Sequence, residues 1–140
     1  MFNLIGFSLE IENLINIYKK KKLHSSIIFN GPKGIGKRHF VNKFISEIIK
    51  LKFSDTNLTH HLNLFYNNSH PNIKILEKEI DKKTKKHNLN ITIDQIRNLK
   101  QFNFSSSSIK NMDKFIIVDC ADDLNLNSAN SLLKTLEEPN

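Results

Sequence analysis

The residues best suited to chemistry in this 140-residue sequence lie in a glycine-rich segment near its start. Residues 31–38 read GPKGIGKR and fit the pattern G-x-x-x-x-G-K, in which backbone N–H groups and a lysine surround phosphate groups. The candidate ligand-binding residues are Gly31, Gly34, Gly36, Lys37 and Arg38. Arg38 stands where a Ser or Thr hydroxyl would hold Mg²⁺, and a guanidinium group has no lone pair for a metal. The pattern predicts a nucleotide-binding loop in which Mg²⁺-assisted hydrolysis is crippled, and an ordinary glycine-rich turn is the alternative.

A second candidate position follows the apolar run at residues 115–118. Asp119 ends this run, where it could hold Mg²⁺ through water or simply cap the next loop, and both interpretations stay open. Cys120 stands where an ATPase of this type would carry its catalytic Glu. No base stands beside Cys120 in the sequence, so a small buried thiol is a better interpretation than a nucleophile. We therefore expect no catalysis from this chain alone.

Histidines offer a third candidate site, for a metal. His60, His61 and His70 stand near one another in the sequence, but no cysteine accompanies them and their spacing fits no standard zinc pattern. We predict solvated loop histidines and no metal site.

Composition limits the classes of protein to which the chain can belong. Its length fits one domain, and no apolar run approaches the roughly 20 residues of a membrane helix, so a soluble protein is expected. A single cysteine fits a reducing cytoplasm. The net charge of +7 invites a nucleic-acid interpretation, but 19 lysines alongside 19 asparagines and 19 isoleucines also match an AT-biased coding sequence.

The elements around the glycine loop follow from hydrophobic periodicity. Residues 9–22 have helical spacing and end in four lysines, which suit a helix C-terminus. Residues 26–30 form a short apolar run that predicts a buried strand leading into the loop. After the loop, residues 40–49 carry an apolar stripe of helical period. This order of strand, loop and helix is the context that a phosphate-binding loop requires.

The second half of the chain alternates strands and helices in the same way. Residues 53–70 predict a loop with at most one helical turn, residues 72–76 a strand, and residues 77–90 an exposed excursion. Thr92 and Gln95 form a capping-box pattern before an amphipathic helix. A serine loop at residues 105–108 follows.

The last predicted elements are a strand and a helix. Residues 114–119 predict a fully buried strand, and the final helix is capped by Asn127 or Ser128 and stopped by Pro139. That helix is predicted to pack one face on the sheet. The face comprises Ala129, Leu132, Leu133 and Leu136. Strands alternating with helices predict an α/β fold with a parallel sheet and flanking helices, with the ligand beyond the carboxyl ends of the strands.

Several stretches together resemble one family, the delta-prime subunits of the bacterial DNA polymerase III clamp loader. The matching stretches span most of the chain in the family's order. They are residues 23–24, 31–37, 70–71, 93–97, 117–122 and 129–139. The resemblance implies a P-loop AAA+ type domain. Delta-prime subunits commonly lack both the hydroxyl after the lysine and the Glu after the Asp, so Arg38 and Cys120 agree with this non-hydrolysing branch.

The sequence also departs from the family. Many members carry a four-cysteine zinc module, and residues 53–70 contain no cysteine. By resemblance, residues 1–140 are a partial AAA+ domain that is truncated C-terminally, before the sensor 1 strand, the lid and the collar domain. The family's strand order of 5-1-4-3-2 then lacks the strand between the first and the third.

The resemblance implies a non-hydrolysing clamp-loader subunit, or its N-terminal fragment, that acts in DNA replication in the cytoplasm. Its expected partners are the clamp-loader ATPase subunits, the delta subunit and, through the complex, DNA. No cofactor is required, and ATP binding is expected to be weak at most. The alternatives are an active small P-loop ATPase or nucleotide kinase, which Arg38 opposes, and the product of a split or decaying gene.

Overall fold

The computed structural model describes residues 6–80, 88–104 and 109–137. The chain divides into two compact units, residues 1–65 and 66–140. The helices and strands of the described residues, in chain order, are α1 (Ser8–Lys19), α2 (Lys37–Lys52), α3 (Asp55–Tyr66), β1 (Ile73–Leu76), α4 (Ile93–Phe104), β2 (Phe115–Val118) and α5 (Leu126–Glu137). None of these helices is long and apolar enough to cross a membrane. A mixed helix and strand architecture is therefore confirmed, but no full P-loop sheet is present in the described residues.

In the first unit, α1 and α2 confirm the two helices expected there. Each buries one stripe of apolar side chains, as their spacing requires. The buried apolar residues are Ile11, Ile15, Phe44, Ile45, Ile48 and Ile49. Ile48 and Ile49 are fully buried, so the centre of α2 anchors this core.

The prediction of a loop over residues 53–70 was wrong, because α3 occupies twelve of these residues. Its Asn, Thr and His residues have modest helix propensity, but Leu58, Leu62 and the buried Phe65 recur at helical spacing. His61 stacks on Phe53 with ring centroids 3.7 Å apart. Burial, with a smaller contribution from the charge of His60, lowers the pKa of His61 and favours its neutral ring. Packing thus outweighs propensity in this helix.

The predicted buried strand at residues 26–30 was also wrong. These residues form no strand, and Ile28 is 89% exposed. A strand exists only when a neighbour accepts and donates its backbone hydrogen bonds. Among the described residues, no backbone hydrogen bond joins residues 26–30 to a neighbouring strand. The apolar run is therefore present without the partner that would make it a strand.

In the second unit, β1 and β2 form a parallel pair. Ile73 lies opposite Phe115 and Leu76 opposite Val118. This pairing matches the neighbouring second and third strands of the order that the family resemblance implies. The helices on the pair bury a cluster of Leu76, Ile91, Ile96 and Leu99. An isolated parallel bridge between Ile91 and Leu124 extends the backbone pairing.

The predicted capping box at the start of α4 is confirmed in both directions. The backbone N–H of Thr92 donates to Gln95 Oε1 at 2.9 Å, and the N–H of Gln95 donates to Thr92 Oγ1 at 3.4 Å. Gln95 Nε2 also donates to the carbonyl of Glu77 at 2.9 Å. The cap thereby ties the start of α4 to the chain leaving β1.

Three details of the last elements differ from expectation. Strand β2 is only partly buried, with Ile117 its one buried residue. The cap of α5 is Asn125, whose Oδ1 accepts the N–H of Ser128 at 2.8 Å, and neither Asn127 nor Ser128 serves as the cap. Of the predicted face, Leu133 and Leu136 are 54% and 49% exposed.

The buried face of α5 is rotated from the predicted one and includes polar residues. Ser128 and Thr135 are buried, and Leu132 packs on the core cluster. Ser128 Oγ donates to the carbonyl of Ile91 at 2.9 Å, which satisfies its hydroxyl inside the core. The predicted serine loop at residues 105–108, part of the excursion at residues 81–87 and the stop at Pro139 lie outside the described residues.

Candidate phosphate-binding loop

The glycine loop adopts the backbone that its sequence pattern requires. Gly34 and Gly36 have φ values of 88° and 96°, in the left-handed region that other residues rarely enter. A Cβ on Gly34 would meet nothing within 4 Å, so its backbone conformation, not space, calls for glycine there. Gly36 is the N-cap residue of α2, and its carbonyl accepts the N–H of Phe40 at 2.9 Å. The loop therefore delivers the chain directly into the helix.

Lys37 closes the loop on itself. Its Nζ donates to the carbonyl oxygens of Gly31 at 2.7 Å and Pro32 at 3.0 Å. The ammonium group is thereby held against the start of the loop by two fixed acceptors. No acidic residue lies in the first turn of α2, so no carboxylate there offsets the positive end of the helix. An anion with several oxygens is the ligand that this combination of charges could attract.

Arg38 and the aromatic side chains define the rest of the loop's surroundings. Arg38 is half-buried in the first turn of α2, where its guanidinium can donate to an anion but cannot coordinate a metal. Phe40, one turn into the helix, contacts Phe29 with centroids 5.2 Å apart and Phe7 with centroids 6.1 Å apart. These ring contacts connect the segment before the loop to α2 without strand hydrogen bonds. Hydrophobic periodicity did not indicate them, although the phenylalanines at positions 7, 29 and 40 were a visible signal.

Asp119, the remaining candidate, belongs to the second unit, whereas the loop residues belong to the first. It follows β2 directly, and its backbone N–H donates to the carbonyl of Leu76 at 3.0 Å. Asp119 is exposed, Cys120 is a half-buried free thiol, and a short 3₁₀ helix, Ala121–Asp123, comes next. These contacts leave both the metal-holding and the loop-capping interpretation of Asp119 open.

Two buried polar residues fix the start of β1: Asn72, which sequence reasoning did not single out, and His70, whose prediction as a solvated loop histidine was wrong because it is buried beside Asn72. Asn72 is fully buried, and its Nδ2 donates to the carbonyls of Ile109 at 3.0 Å and Met112 at 2.7 Å. The N–H of Asn72 donates to His70 Nδ1 at 3.2 Å. The polar pair His70 and Asn72 therefore orders the turns that enter both strands. Within the described residues, no group of three His, Cys, Asp or Glu side chains is arranged to hold a metal ion.

Comparison with known proteins assigns the chain to a family. The family model for the DNA polymerase III delta subunit matches residues 8–140. The chain belongs to this family. The match includes residues of both units, so the glycine loop and Asp119 are parts of one family region.

Curated relatives agree with the family assignment. DNA polymerase III subunit delta′ of Buchnera aphidicola subsp. Acyrthosiphon pisum is 28% identical over 130 residues, which cover 91% of this chain and 37% of the relative. The Pseudomonas aeruginosa subunit delta′ is 29% identical over 119 residues, 83% of this chain and 34% of the relative. The Bacillus subtilis subunit delta′ is 28% identical over 129 residues, 91% of this chain and 36% of the relative. The chain thus spans about a third of the length of these relatives. No solved structure matches it significantly.

Proposed function

We propose that this chain supplies the N-terminal AAA+ region of a clamp-loader subunit of the DNA polymerase III holoenzyme, acting in DNA replication in the cytoplasm. The observation that carries the proposal is the family match over residues 8–140, together with relatives that are all subunits delta′. Its role is structural: a wedge between ATPase subunits and the delta subunit, reaching DNA through the assembled complex. Residues 1–140 correspond to part of such a subunit, since they span about a third of the length of these relatives.

The proposal includes an absence of ATP hydrolysis by this chain. Arg38 replaces the hydroxyl that would hold Mg²⁺, and Cys120 replaces the carboxylate that would activate water. The loop retains the glycines and Lys37, so weak nucleotide binding through Gly31, Gly34, Gly36, Lys37 and Arg38 is compatible with its geometry. Asp119, in the second unit, is the candidate to hold Mg²⁺ through water if a metal is bound, and no cofactor is needed for the structural role.

Hydrolysis is tested by phosphate release from ATP and Mg²⁺, with and without primed DNA. We expect a rate indistinguishable from the buffer blank, well below the roughly 1 s⁻¹ of a typical enzyme. The matched control is the double variant Arg38→Thr with Cys120→Glu, which restores both missing groups at the same positions. Turnover by the parent that disappears in Lys37→Ala would identify an active P-loop ATPase and refute the proposal.

Partnership is tested separately by co-expression with the clamp-loader ATPase subunits and the delta subunit of the same organism. We expect the tagged chain to elute with them on size exclusion, and Ile48→Asp, which disrupts the core of α2, to abolish co-elution. The exposed substitution Lys74→Gln, in the second unit, is expected to leave it unchanged. Failure of the folded parent chain to associate with any of these subunits would contradict the structural role, whatever the hydrolysis assay gives.

A further inference from the structure

The C-terminal end of α1 carries four consecutive lysines whose backbone is tightly ordered. The N–H of Lys22 donates to the carbonyl of Ile17 at 3.1 Å, and the N–H of Lys21 donates to that of Tyr18 at 2.9 Å. These two hydrogen bonds form a Schellman motif, the common way in which a helix ends. The lysine run therefore belongs to a defined helix cap, which fixes where its side chains leave the surface.

Lys21 occupies the position of this motif that normally belongs to glycine. Its φ of 55° lies in the left-handed region, which costs free energy for residues with a Cβ. Neither local helix geometry nor burial explains a lysine there, because Lys21 is exposed. A strained residue that local structure does not require points to a role outside the fold.

The end of α2 adds further lysines to the same surface. Lys52 Nζ lies 5.6 Å from the centre of the Tyr18 ring, which is on the last turn of α1. Lys19 and Leu51 line one groove of about 320 Å³ between the two helices. The C-terminal ends of α1 and α2 are therefore adjacent. We call the set of Lys19, Lys20, Lys21, Lys22, Lys50 and Lys52 the lysine patch.

Few carboxylates offset the charge of the lysine patch. Glu12 and Glu47 line the groove, and Glu47 is shared by Lys50 at 2.8 Å and Lys43 at 2.9 Å. Burial acts to raise the pKa of Glu47, but hydrogen bonds from Lys50 and Lys43 outweigh it and lower that pKa. Among the described residues, none of Lys19–Lys22 forms an ion pair with a carboxylate. The charge of the run is therefore left largely uncompensated.

The imbalance is specific to this half of the chain. Residues 1–65 contain ten Lys and Arg against four Asp and Glu, whereas residues 66–140 contain eleven against ten. Of the net +7, +6 therefore lies in the first unit. The two units carry nearly equal numbers of Lys and Arg, so the difference comes from the scarcity of carboxylates in the first unit, which leaves the charge of its lysines less offset.

We propose that the lysine patch binds the phosphate backbone of duplex DNA. This binding rests on charge and geometry in the first unit and does not depend on the clamp-loader proposal. Lysines that project from a rigid cap release condensed counterions when they contact phosphates, which is the main source of sequence-independent affinity. A membrane surface fits less well, because polybasic attachment needs a second anchor. Tyr18, the aromatic residue beside the patch, is half-buried. The neighbouring apolar residues Ile17 and Leu51 are 40% and 45% exposed, so each keeps more than half of its surface against the protein.

The test is fluorescence anisotropy of a labelled 30-base-pair duplex with the 140-residue chain, between 50 and 200 mM NaCl. The patch variant replaces Lys19, Lys20 and Lys22 by Gln. We expect it to weaken binding about tenfold or more at the lowest salt, and to reduce the slope of log affinity against log salt by about 0.9 for each phosphate that the variant no longer neutralises. The matched control replaces three exposed lysines of the second unit, Lys74, Lys110 and Lys134, by Gln and should change affinity less than twofold.

A second variant, Lys21→Gly, separates a loss of DNA binding from a loss of folding. Glycine relieves the left-handed conformation, so this variant should melt at a higher temperature than the parent while binding the duplex more weakly. Three outcomes would overturn the proposal: no binding by the parent at 50 mM NaCl, equal losses of affinity in the patch and control variants, or binding to vesicles with 30% anionic lipid but not to the duplex.

Discussion

Single buried polar residues carry much of the specificity of this fold. Asn72 is the clearest case, because its side-chain amide satisfies two carbonyls from a distant turn while its backbone carbonyl accepts the N–H of Phe115 at 2.8 Å. A buried acceptor without a donor costs roughly 1–3 kcal/mol. Asn72 thus links the start of β1 to the turn before β2, which are about 40 residues apart in the chain.

We predict that Asn72→Leu destabilises the chain by about 2–4 kcal/mol. The substitution removes both donors and leaves the carbonyls of Ile109 and Met112 buried without them. Urea unfolding followed by circular dichroism measures the change. The exposed Asn130→Ala in α5 is the control and should stay within about 0.5 kcal/mol of the parent. A comparably small effect at Asn72 would mean that water replaces the amide.

At the residue scale, contacts between residues close in the sequence were predictable, and contacts between distant residues were not. The capping box of Thr92 and Gln95 was predictable because its two partners are three residues apart in the chain. The contacts of Asn72 were not, because its partners lie at positions 109 and 112 and nothing local indicates them. For the candidate site, the glycine conformations followed from the loop pattern. The hydrogen bonds from Lys37 Nζ to the carbonyls of Gly31 and Pro32 did not follow from that pattern.

At the scale of elements, periodicity predicted helices α1, α2, α4 and α5 but missed α3, and it predicted the rotation of α5 incorrectly. The face predicted for α5 assumed that leucines dominate the buried side. In the structure Ser128 and Thr135 are buried and satisfy their hydroxyls, Ser128 on Ile91 and Thr135 on the carbonyl of Ser131 at 3.0 Å. Because small hydroxyl residues can be buried when they are hydrogen-bonded, they shift the buried stripe towards positions 128, 132 and 135. Hydrophobicity alone could not reveal that rotation.

The rotation of α5 predicts opposite outcomes for two neighbouring leucines. Leu132→Asp places a carboxylate against the cluster around Ile91 and Leu99 and should cost several kcal/mol. Leu133→Asp, at a position that is 54% exposed, should cost less than about 1 kcal/mol. Thermal melting of the two variants is the measurement, and each is the other's control. If Leu133→Asp proves the more harmful, α5 has the rotation that hydrophobicity alone predicts.

Helix α3 and residues 26–30 illustrate the two ways in which element prediction failed. In α3 the local sequence was polar and weakly helical, yet Phe65 supplies a buried anchor. In residues 26–30 the local sequence was typical of a buried strand, yet a strand is a property of a pair and not of a segment. Tertiary contacts therefore decided the secondary structure of both segments. Helix α3 has a packing partner for Phe65, whereas residues 26–30 have no strand partner among the described residues.

At the scale of the whole molecule, two units of different construction make up the described chain. The second unit has a parallel strand pair with core helices, whereas the first carries an apolar segment that pairs with no strand in the described residues. A segment with unpaired backbone groups and exposed apolar side chains can associate with another chain. The second unit also exposes large apolar side chains on α5, where Leu126, Leu133 and Leu136 are 76%, 54% and 49% exposed.

Amide hydrogen exchange should separate these two regions directly. The amides of Phe115 and Asp119 donate to carbonyls of Asn72 and Leu76 at 2.8 and 3.0 Å, so they exchange only when the strand pair opens. The amides of Ile27, Ile28 and Phe29 have no such acceptor among the described residues, and we expect them to exchange at least about a hundredfold faster. Two-dimensional NMR of the 140-residue chain in D₂O gives both sets in one experiment. Equal protection would show that residues 26–30 pair in solution and that the first unit has a strand after all. A polypeptide that corresponds to the remaining length of a subunit delta′ is then added. Protection that appears at Ile27 to Phe29 and leaves Phe115 unchanged would show that this segment pairs with a strand of the added polypeptide.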